Sequence, residues 1–190
     1  MGATSAYWFY FTKICVGGWL LWKMKPLVAE MRWAFSWEAV VVGSGVFAVW
    51  VGLDPYYPHL MKDSPAWNPN ESFGDNSALA WLLIGTRILG STFIVPPLEE
   101  VFYRSFLYRY IANQNFLSVP LNKFIPLPFL ATTLVFGFAH NEWLAGILCG
   151  AAFQWLVIRK NRLGDAMTAH AITNFMLGVW IVWRGAWHFW

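Results

Sequence analysis

The sequence predicts an all-α protein, a polytopic transmembrane helical bundle of about six to eight helices. Of its 190 residues, 58% are hydrophobic and 12% are charged, whereas a soluble domain has about 25% charged residues. Aromatic residues make up 19% of the chain, which is typical of proteins with aromatic belts at the membrane interfaces. At roughly 20 residues per crossing, the chain has room for at most about eight spans. We therefore expect one integral-membrane domain over residues 1–190.

The charge pattern and the cysteines exclude several other classes of protein. The net charge is +3, and Lys and Arg stand in short clusters between apolar runs, which indicates membrane topology instead of nucleic-acid binding. Cys15 and Cys149 lie in apolar segments, so neither a disulfide framework nor a cysteine metal site is predicted. The sequence therefore predicts the lipid bilayer as a partner and no nucleic acid.

The first half of the chain contains three apolar runs. The run 7–22 leads into a basic connection, and the run 37–53 leads into an acidic loop that extends to residue 76, so we expect the first connection inside and the loop outside. The third run, 78–95, ends at Pro96 and Pro97, which interrupt a helical hydrogen-bond ladder but can begin a new helix. We therefore predict a separate helix from about Leu98 to about Asn113.

The second half of the chain adds a run that ends at His140, a segment 142–157 followed by the basic cluster 159–162, and a last segment 165–183. Gly146 and Gly150 form a G-x-x-x-G pair, which predicts close helix packing. If every segment crosses the membrane, the basic connection after residue 22 and the cluster 159–162 fall on opposite sides, unless 98–112 is re-entrant or tilted. The sequence leaves the orientation open.

Two adjacent glutamates follow the proline pair. In a helix, Arg104 lies one turn after Glu100 on the same face, within reach of an ion pair, whereas Glu99 is rotated by about 100°. Ionisable groups in membrane segments are costly, so each needs a partner or a function. Glu99 is then a candidate general base. A structural Glu–Arg pair with Glu99 turned toward the lipid headgroups is the alternative interpretation.

Two histidines and an asparagine complete the set of candidate residues. His140 closes an apolar run, where an interfacial histidine is the alternative, and His170 lies four residues before Asn174, so the two share a helix face. Interhelical hydrogen bonding would also explain that pair. Together with the glutamates and Arg104, however, these groups can activate water and stabilise an oxyanion, which favours a hydrolytic site.

These residues carry a resemblance to a known family. The chain resembles the CAAX protease and bacteriocin-processing family, also called the type II CAAX endopeptidase or Abi family of intramembrane proteases, over about 78–184. The resemblance rests on three motifs in the family's order and spacing: Glu99-Glu100-x-x-x-Arg104, Phe136-x-x-x-His140 and His170-x-x-x-Asn174.

The resemblance implies a role for each matching residue. Glu99 and His140 would position and deprotonate the attacking water, with Glu99 as general base. His170 and Asn174 would stabilise the oxyanion of the tetrahedral intermediate. Glu100 and Arg104 would hold the geometry of the site.

The family has been described both as zinc-dependent and as a metal-independent glutamate protease, and the sequence favours the second description. Two histidines and a glutamate can ligate zinc with one open position, and Glu99, His140 and His170 would be the ligands. The chain lacks the H-E-x-x-H spacing of metalloproteases, however. We therefore expect no cofactor and keep zinc as the alternative.

The resemblance also implies a membrane, a substrate class and possible partners. Three segments look like the bacterial CAAX protease-related proteins associated with exosortase systems, namely Gly52-Leu53-Asp54, Phe116-Leu117-Ser118-Val119-Pro120 and Trp187-His188-Phe189-Trp190. This implies a bacterial inner membrane, a membrane-associated peptide or protein substrate, and exosortase-system components as partners.

Two other functions stay open at this point. A non-catalytic membrane scaffold or immunity factor would keep the same residues as a structural polar network. A proton-coupled transporter would use buried Glu and His as a proton relay, although the chain shows no internal repeat. The leading hypothesis is an intramembrane endopeptidase.

Overall fold

A computed structural model describes residues 4–61 and 66–190 of the protein. Seven helices form the bundle there, and no strand occurs among these residues, so the predicted all-α class is confirmed. The helices are α1 (Ser5–Met24), α2 (Trp37–Leu53), α3 (Pro69–Phe73), α4 (Ala78–Ala112), α5 (Pro126–Phe138), α6 (Trp143–Lys160) and α7 (Gly164–Arg184). Short 3-10 turns follow at Asp54–Tyr56, Phe116–Ser118 and Trp187–Phe189.

Three of the helical segments in the described part of the chain are long and apolar enough to cross a membrane, namely Trp37–Tyr56, Ala78–Ala112 and Gly164–Arg184. Helix α5 is apolar but shorter. The predicted runs 7–22 and 142–157 form helices α1 and α6, and their crossing of the membrane stays a prediction. Residues 62–65 of the predicted outer loop, including Lys62 and Pro65, lie outside the described residues.

The predicted break at Pro96 and Pro97 is wrong, because α4 runs through both prolines. A π-helical turn, Gly90–Ile94, precedes them, and the Val95 N–H donates to the carbonyl of Gly90. The wider turn replaces the regular hydrogen bonds just where the prolines would have removed them, so the helix continues with a bulge. A second π-helical turn, Val101–Leu107, follows the glutamate pair.

The continuity of α4 removes the conflict in the predicted topology. At about 1.5 Å per residue, its 35 residues extend over about 52 Å, so 98–112 continues the segment that begins at Ala78 and does not count as a separate crossing. Lys160 Nζ lies 2.6 Å from Glu38 Oε1, and Arg109 Nη2 lies 2.9 Å from Glu30 Oε2. Both basic connections therefore lie at one end of the bundle, which we call the basic face.

The opposite end of the bundle, which we call the acidic face, contains the loop after α2, the turn between α5 and α6, and the segment 185–190. The Leu60 N–H donates to the carbonyl of Asn141 over 3.2 Å. Asp54 accepts contacts from His59 at 3.0 Å and from His188 at 3.2 Å. These contacts hold the turn after α5 and the closing segment beside the same loop.

Glycines let the helices around the predicted site approach closely. A Cβ at Gly146 would lie 3.0 Å from the Cα of Gly137, and one at Gly150 would lie 3.3 Å from the carbonyl of Thr133. Both contacts join α5 to α6, so the predicted packing role of the glycine pair is confirmed. On α2, the carbonyl of Gly43 accepts a 2.8 Å hydrogen bond from Thr173 Oγ1 of α7. These contacts fix the positions of α5, which ends two residues before His140, and of α7, which carries His170 and Asn174.

Candidate active site

Glu100 lies at the centre of a buried polar network. Its side chain is fully buried, with Oε2 3.1 Å from Nε of Arg104 and Oε1 2.9 Å from Nδ1 of His170. The ion pair that the spacing predicted is therefore present. The contact with His170 joins residues that are 70 positions apart, so it links α4 to α7.

The guanidinium of Arg104 is held between Glu100 and aromatic rings. Its Cζ atom lies 4.3 Å from the ring centre of Phe136 and 5.5 Å from that of Tyr103. Within the described part of the chain, its Nη1 and Nη2 atoms have no hydrogen-bond partner. A carboxylate and ring faces thus balance the charge of this arginine, and the arginine in turn fixes Phe136 on α5.

Glu99 has a different environment from its neighbour Glu100. Its side chain is 31% exposed, and Oε2 lies 4.0 Å from Nε2 of His170. No hydrogen bond to Oε2 occurs among residues 4–61 and 66–190. His170 therefore bridges the two glutamates, in close contact with Glu100 and at a longer distance from Glu99. Glu99 is the less tightly paired carboxylate, and it faces a cavity.

The backbone of α5 orients His140. Its Nδ1 atom lies 2.7 Å from the carbonyl oxygen of Phe136. Because a carbonyl only accepts hydrogen bonds, we assign the proton to Nδ1, which leaves Nε2 available as an acceptor in the neutral ring. The ring packs at 4.7 Å from the ring of Phe136 and at 5.5 Å from that of Trp50.

Asn174 interacts with the π-helical turn of α4. Its Nδ2 donates a 2.8 Å hydrogen bond to the carbonyl of Ser91. That carbonyl lacks its usual helical donors, because the Val95 N–H bonds to Gly90 and Pro96, the next residue, has no N–H. The asparagine therefore satisfies a carbonyl that the bulge leaves unpaired. One amide hydrogen of its Nδ2 stays available on the cavity side.

A cavity of about 180 Å³ brings four of the six predicted residues together, namely Glu99, His140, His170 and Asn174. Glu100 and Arg104 do not line the cavity and lie behind it. The lining also contains residues that the sequence reasoning missed, including Tyr10, Trp50, Arg87, Glu142 and Trp190. Arg87 gave a signal that the sequence could have revealed, since it is a single charge within an apolar run.

Zinc, the alternative that the sequence keeps open, would need Glu99, His140 and His170 as ligands. Among the described residues, no group of three His, Cys, Asp or Glu side chains is arranged to hold a metal ion. Glu100 faces Nδ1 of His170 and a backbone carbonyl faces Nδ1 of His140, which leaves Nε2 of both rings free, and metal-ligating histidines are commonly oriented in this way. Zinc stays the alternative, and no chemical step below uses a metal.

A cavity lined by a carboxylate, two imidazoles and a carboxamide is a candidate active site, and these groups can activate water. Residues 76–176, more than half of the chain, match the family described as type II CAAX prenyl endopeptidase Rce1-like, and the chain belongs to this family. All six predicted site residues lie in the matched region. Searches of curated proteins and of solved structures return no match.

Membership in this family identifies the protein as an integral-membrane protease of the CAAX endopeptidase type. The family resemblance that the three motifs predicted is thereby confirmed. The likeness to exosortase-associated proteins stays a prediction.

Proposed function

We propose that the protein hydrolyses a peptide bond of a membrane-associated substrate with a water molecule that Glu99 and His140 activate. The observation that carries this proposal is the contrast between the two glutamates. Glu100 is fully buried, with Arg104 at 3.1 Å and His170 at 2.9 Å, whereas Glu99 is 31% exposed, lines the cavity and has its nearest ion-pair contact, His170, at 4.0 Å. A general base needs such an available carboxylate within reach of water.

Glu99 and His140 carry out the first step of the proposed hydrolysis together. Glu99 accepts a proton from water while the water oxygen bonds to the carbonyl carbon of the substrate, and Nε2 of His140 accepts the second hydrogen bond of that water. The resulting tetrahedral intermediate carries a negative oxygen. When the carbon–nitrogen bond breaks, Glu99 returns its proton to the leaving amine.

His170 and Asn174 are the donors that stabilise the negative oxygen. Nδ1 of His170 faces Glu100 at 2.9 Å, which holds the ring with Nε2 toward the cavity, where a ring with a proton on Nε2 can donate to the negative oxygen. Asn174 adds its remaining amide hydrogen, with the other one held by Ser91. Glu100 and Arg104 act as positioning residues, because they hold His170 and Phe136 in place.

We propose the orientation of the protein in its membrane from the distribution of its charged residues. Cytoplasmic connections are rich in Lys and Arg, so we place the basic face, with Lys160 and Arg109, in the cytoplasm of a bacterial cell whose inner membrane holds the protein. The cavity then extends from Glu99 toward the opposite, acidic face, because Glu142 and Trp190 also line it. The proposed substrate is a membrane-associated peptide or protein, and exosortase-system components are the proposed partners.

The test is proteolysis of membrane peptides by the purified wild-type protein and by Glu99→Gln, each with and without a strong zinc chelator. We expect cleavage by the wild type, no effect of the chelator, and a loss of about 10²–10⁴-fold in Glu99→Gln, which is the usual contribution of general-base catalysis. Loss of cleavage on chelation would instead assign Glu99, His140 and His170 as metal ligands.

The scaffold function has one observation in its favour, which is that Glu100, Arg104 and His170 form a network without any ligand. A scaffold needs the network but not the available carboxylate of Glu99. It therefore predicts that Glu99→Asp and Glu99→Gln both keep the biological function, whereas the protease proposal predicts that Glu99→Gln loses it.

A further inference from the structure

The connection between α1 and α2 forms a groove at the basic face, with a volume of about 630 Å³. Its lining consists of Trp22, Lys23, Lys25, Pro26, Met31 and Arg32. Three of these six side chains are cationic and none is acidic. The groove shares no lining residue with the cavity that contains Glu99, so the proposed chemistry does not account for it.

The carboxylates of the basic face are already paired. In the described part of the chain, each of the three has a basic partner, namely Arg109 for Glu30 at 2.9 Å, Lys160 for Glu38 at 2.6 Å and Arg162 for Asp165 at 2.5 Å. Glu30 is the one acidic residue in the connection 25–36. Both of its carboxylate oxygens accept hydrogen bonds from the guanidinium of Arg109. Glu30 is therefore not available to neutralise the cations of the groove.

The three cations of the groove have no anionic partner of their own. Among residues 4–61 and 66–190, no carboxylate lies within ion-pair distance of Lys23, Lys25 or Arg32. Nζ of Lys23 lies 4.7 Å from the ring centre of Trp22, which is 67% exposed. Exposed tryptophans at the end of a membrane helix are typical of the headgroup level of a bilayer. The groove thus presents unneutralised positive charge where lipid headgroups lie.

An apolar cleft of about 150 Å³ continues from this groove between α1 and α4. It shares three lining residues with the groove and adds four others, namely Leu21, Trp33, Phe93 and Pro97. Phe93 and Pro97 lie near the middle of the segment Ala78–Ala112. The cleft therefore leads from the cations at the end of α1 toward the middle of a membrane-spanning helix. A ligand with an anionic head and an apolar chain matches both parts.

We propose that the groove and the cleft together form a binding site for an anionic phospholipid of the leaflet at the basic face. Lys25 and Arg32 bind the phosphate, because ammonium and guanidinium groups form strong hydrogen bonds to phosphate oxygens. One acyl chain lies in the cleft against Phe93 and Pro97. Basic pockets beside membrane helices bind anionic headgroups in this way. The inference does not depend on catalysis by Glu99.

The test is a titration of the purified protein in a nonionic detergent, with bound lipid counted by native mass spectrometry. The probes are dioleoylphosphatidylglycerol, dioleoylphosphatidylcholine and inorganic phosphate. The two lipids have the same acyl chains but differ in the net charge of the headgroup. We expect one saturable site for phosphatidylglycerol, with a Kd at least about tenfold lower than that for phosphatidylcholine. Millimolar inorganic phosphate should not displace the lipid, because it makes no contact in the cleft.

Two double variants separate a defined site from the general charge of this face. Lys25→Gln/Arg32→Gln removes two cations from the groove, and we expect the Kd for phosphatidylglycerol to rise about 25-fold, or roughly fivefold for each cation. Lys123→Gln/Arg159→Gln is the matched control, because both residues are exposed and line neither the groove nor the cleft. Its Kd should change by less than about twofold.

A charge-preserving variant guards against an effect on folding. Lys25→Arg/Arg32→Lys keeps both cations in the groove, so it should keep the Kd for phosphatidylglycerol within about threefold of wild type. The thermal unfolding midpoints of all variants are compared without lipid. Equal midpoints together with weaker binding in Lys25→Gln/Arg32→Gln alone would support the site.

Four results would overturn the inference. Equal affinity for both lipids would leave only an apolar cleft, and displacement by inorganic phosphate would leave only an anion site. An equal rise of the Kd in both Gln double variants would assign the effect to the net charge of the face. A protein dimer that dissociates in Lys25→Gln/Arg32→Gln would assign the groove to a second copy of the chain. None of these measurements requires hydrolysis, so each result leaves the proposed protease function to its own test.

Discussion

The buried charges behind the cavity and at its outer end have opposite environments. Behind the cavity, Glu100 has Arg104 at 3.1 Å and His170 at 2.9 Å. At the outer end, Arg87 has only ring faces, the nearest at 4.5 Å, among the residues described. An oppositely charged partner holds a charge in one geometry, whereas ring faces stabilise a cation without accepting its hydrogen bonds. We therefore expect Glu100 and Arg104 to support the structure of the site, and Arg87 to contribute less to stability.

The largest effect on stability is expected from breaking the pair of Glu100 and Arg104. Arg104→Ala leaves Glu100 buried without its charged partner, which should lower the free energy of unfolding by about 3–5 kcal/mol. Thermal or denaturant unfolding in detergent measures the change. The double variant Glu100→Ala/Arg104→Ala should lose less than the sum of the two single variants. A loss below about 1 kcal/mol in Arg104→Ala would contradict the view that this pair holds the site together.

An intermediate loss of stability is expected from Gly137→Ala, at the contact between α5 and α6. A Cβ at Gly137 would lie 2.8 Å from the backbone nitrogen of Ile147, and the backbone has no easy way to move aside. Gly137→Ala should therefore destabilise the protein by about 1–3 kcal/mol and reduce cleavage, because the His140 N–H donates to the carbonyl of Gly137.

Gly45→Ala is the matched control for this substitution. A Cβ at Gly45 would meet nothing within 4 Å, and alanine favours the helix by about 0.5–1 kcal/mol over glycine. The same unfolding measurement should show Gly45→Ala at least as stable as wild type. Equal destabilisation by both substitutions would show that close packing at Gly137 is not the cause.

The smallest effect on stability is expected at the outer end. Arg87→Met removes ring contacts worth about 0.5–1 kcal/mol each, but it also removes the cost of holding an unpaired cation in the membrane. The two changes oppose each other, so we expect the free energy of unfolding to change by less than about 1 kcal/mol. If the loss equals that of Arg104→Ala in the same assay, Arg87 is a structural cation and the contrast between the two regions disappears.

Local spacing predicted the parts of the site that lie within one helix. The i, i+4 relation placed Arg104 beside Glu100 and put His170 and Asn174 on one face, because helical periodicity determines which side chains are neighbours. The apolar runs likewise predicted the positions of the helices, since membrane segments must be apolar over most of their length.

Contacts between distant segments could not be predicted in this way. The contact of His170 with Glu100 depends on how α7 packs on α4, and periodicity in one helix carries no information about its partner. The path of α4 through Pro96 was missed because the π-helical turn, Gly90–Ile94, has no spacing signal of its own. Arg87 meets Trp67 and Trp190 only in the folded bundle.

We propose that the adjacent glutamates have different functions, with Glu99 in the chemistry and Glu100 in the structure. The most direct measurement compares Glu99→Gln and Glu100→Gln with wild type, recording the cleavage rate and the thermal unfolding midpoint of each protein on the same preparation. We expect Glu99→Gln to unfold at nearly the wild-type temperature but to lose cleavage, and we expect Glu100→Gln to unfold at a clearly lower temperature. Retained cleavage in Glu99→Gln, or an equal decrease of the midpoint in both variants, would contradict it.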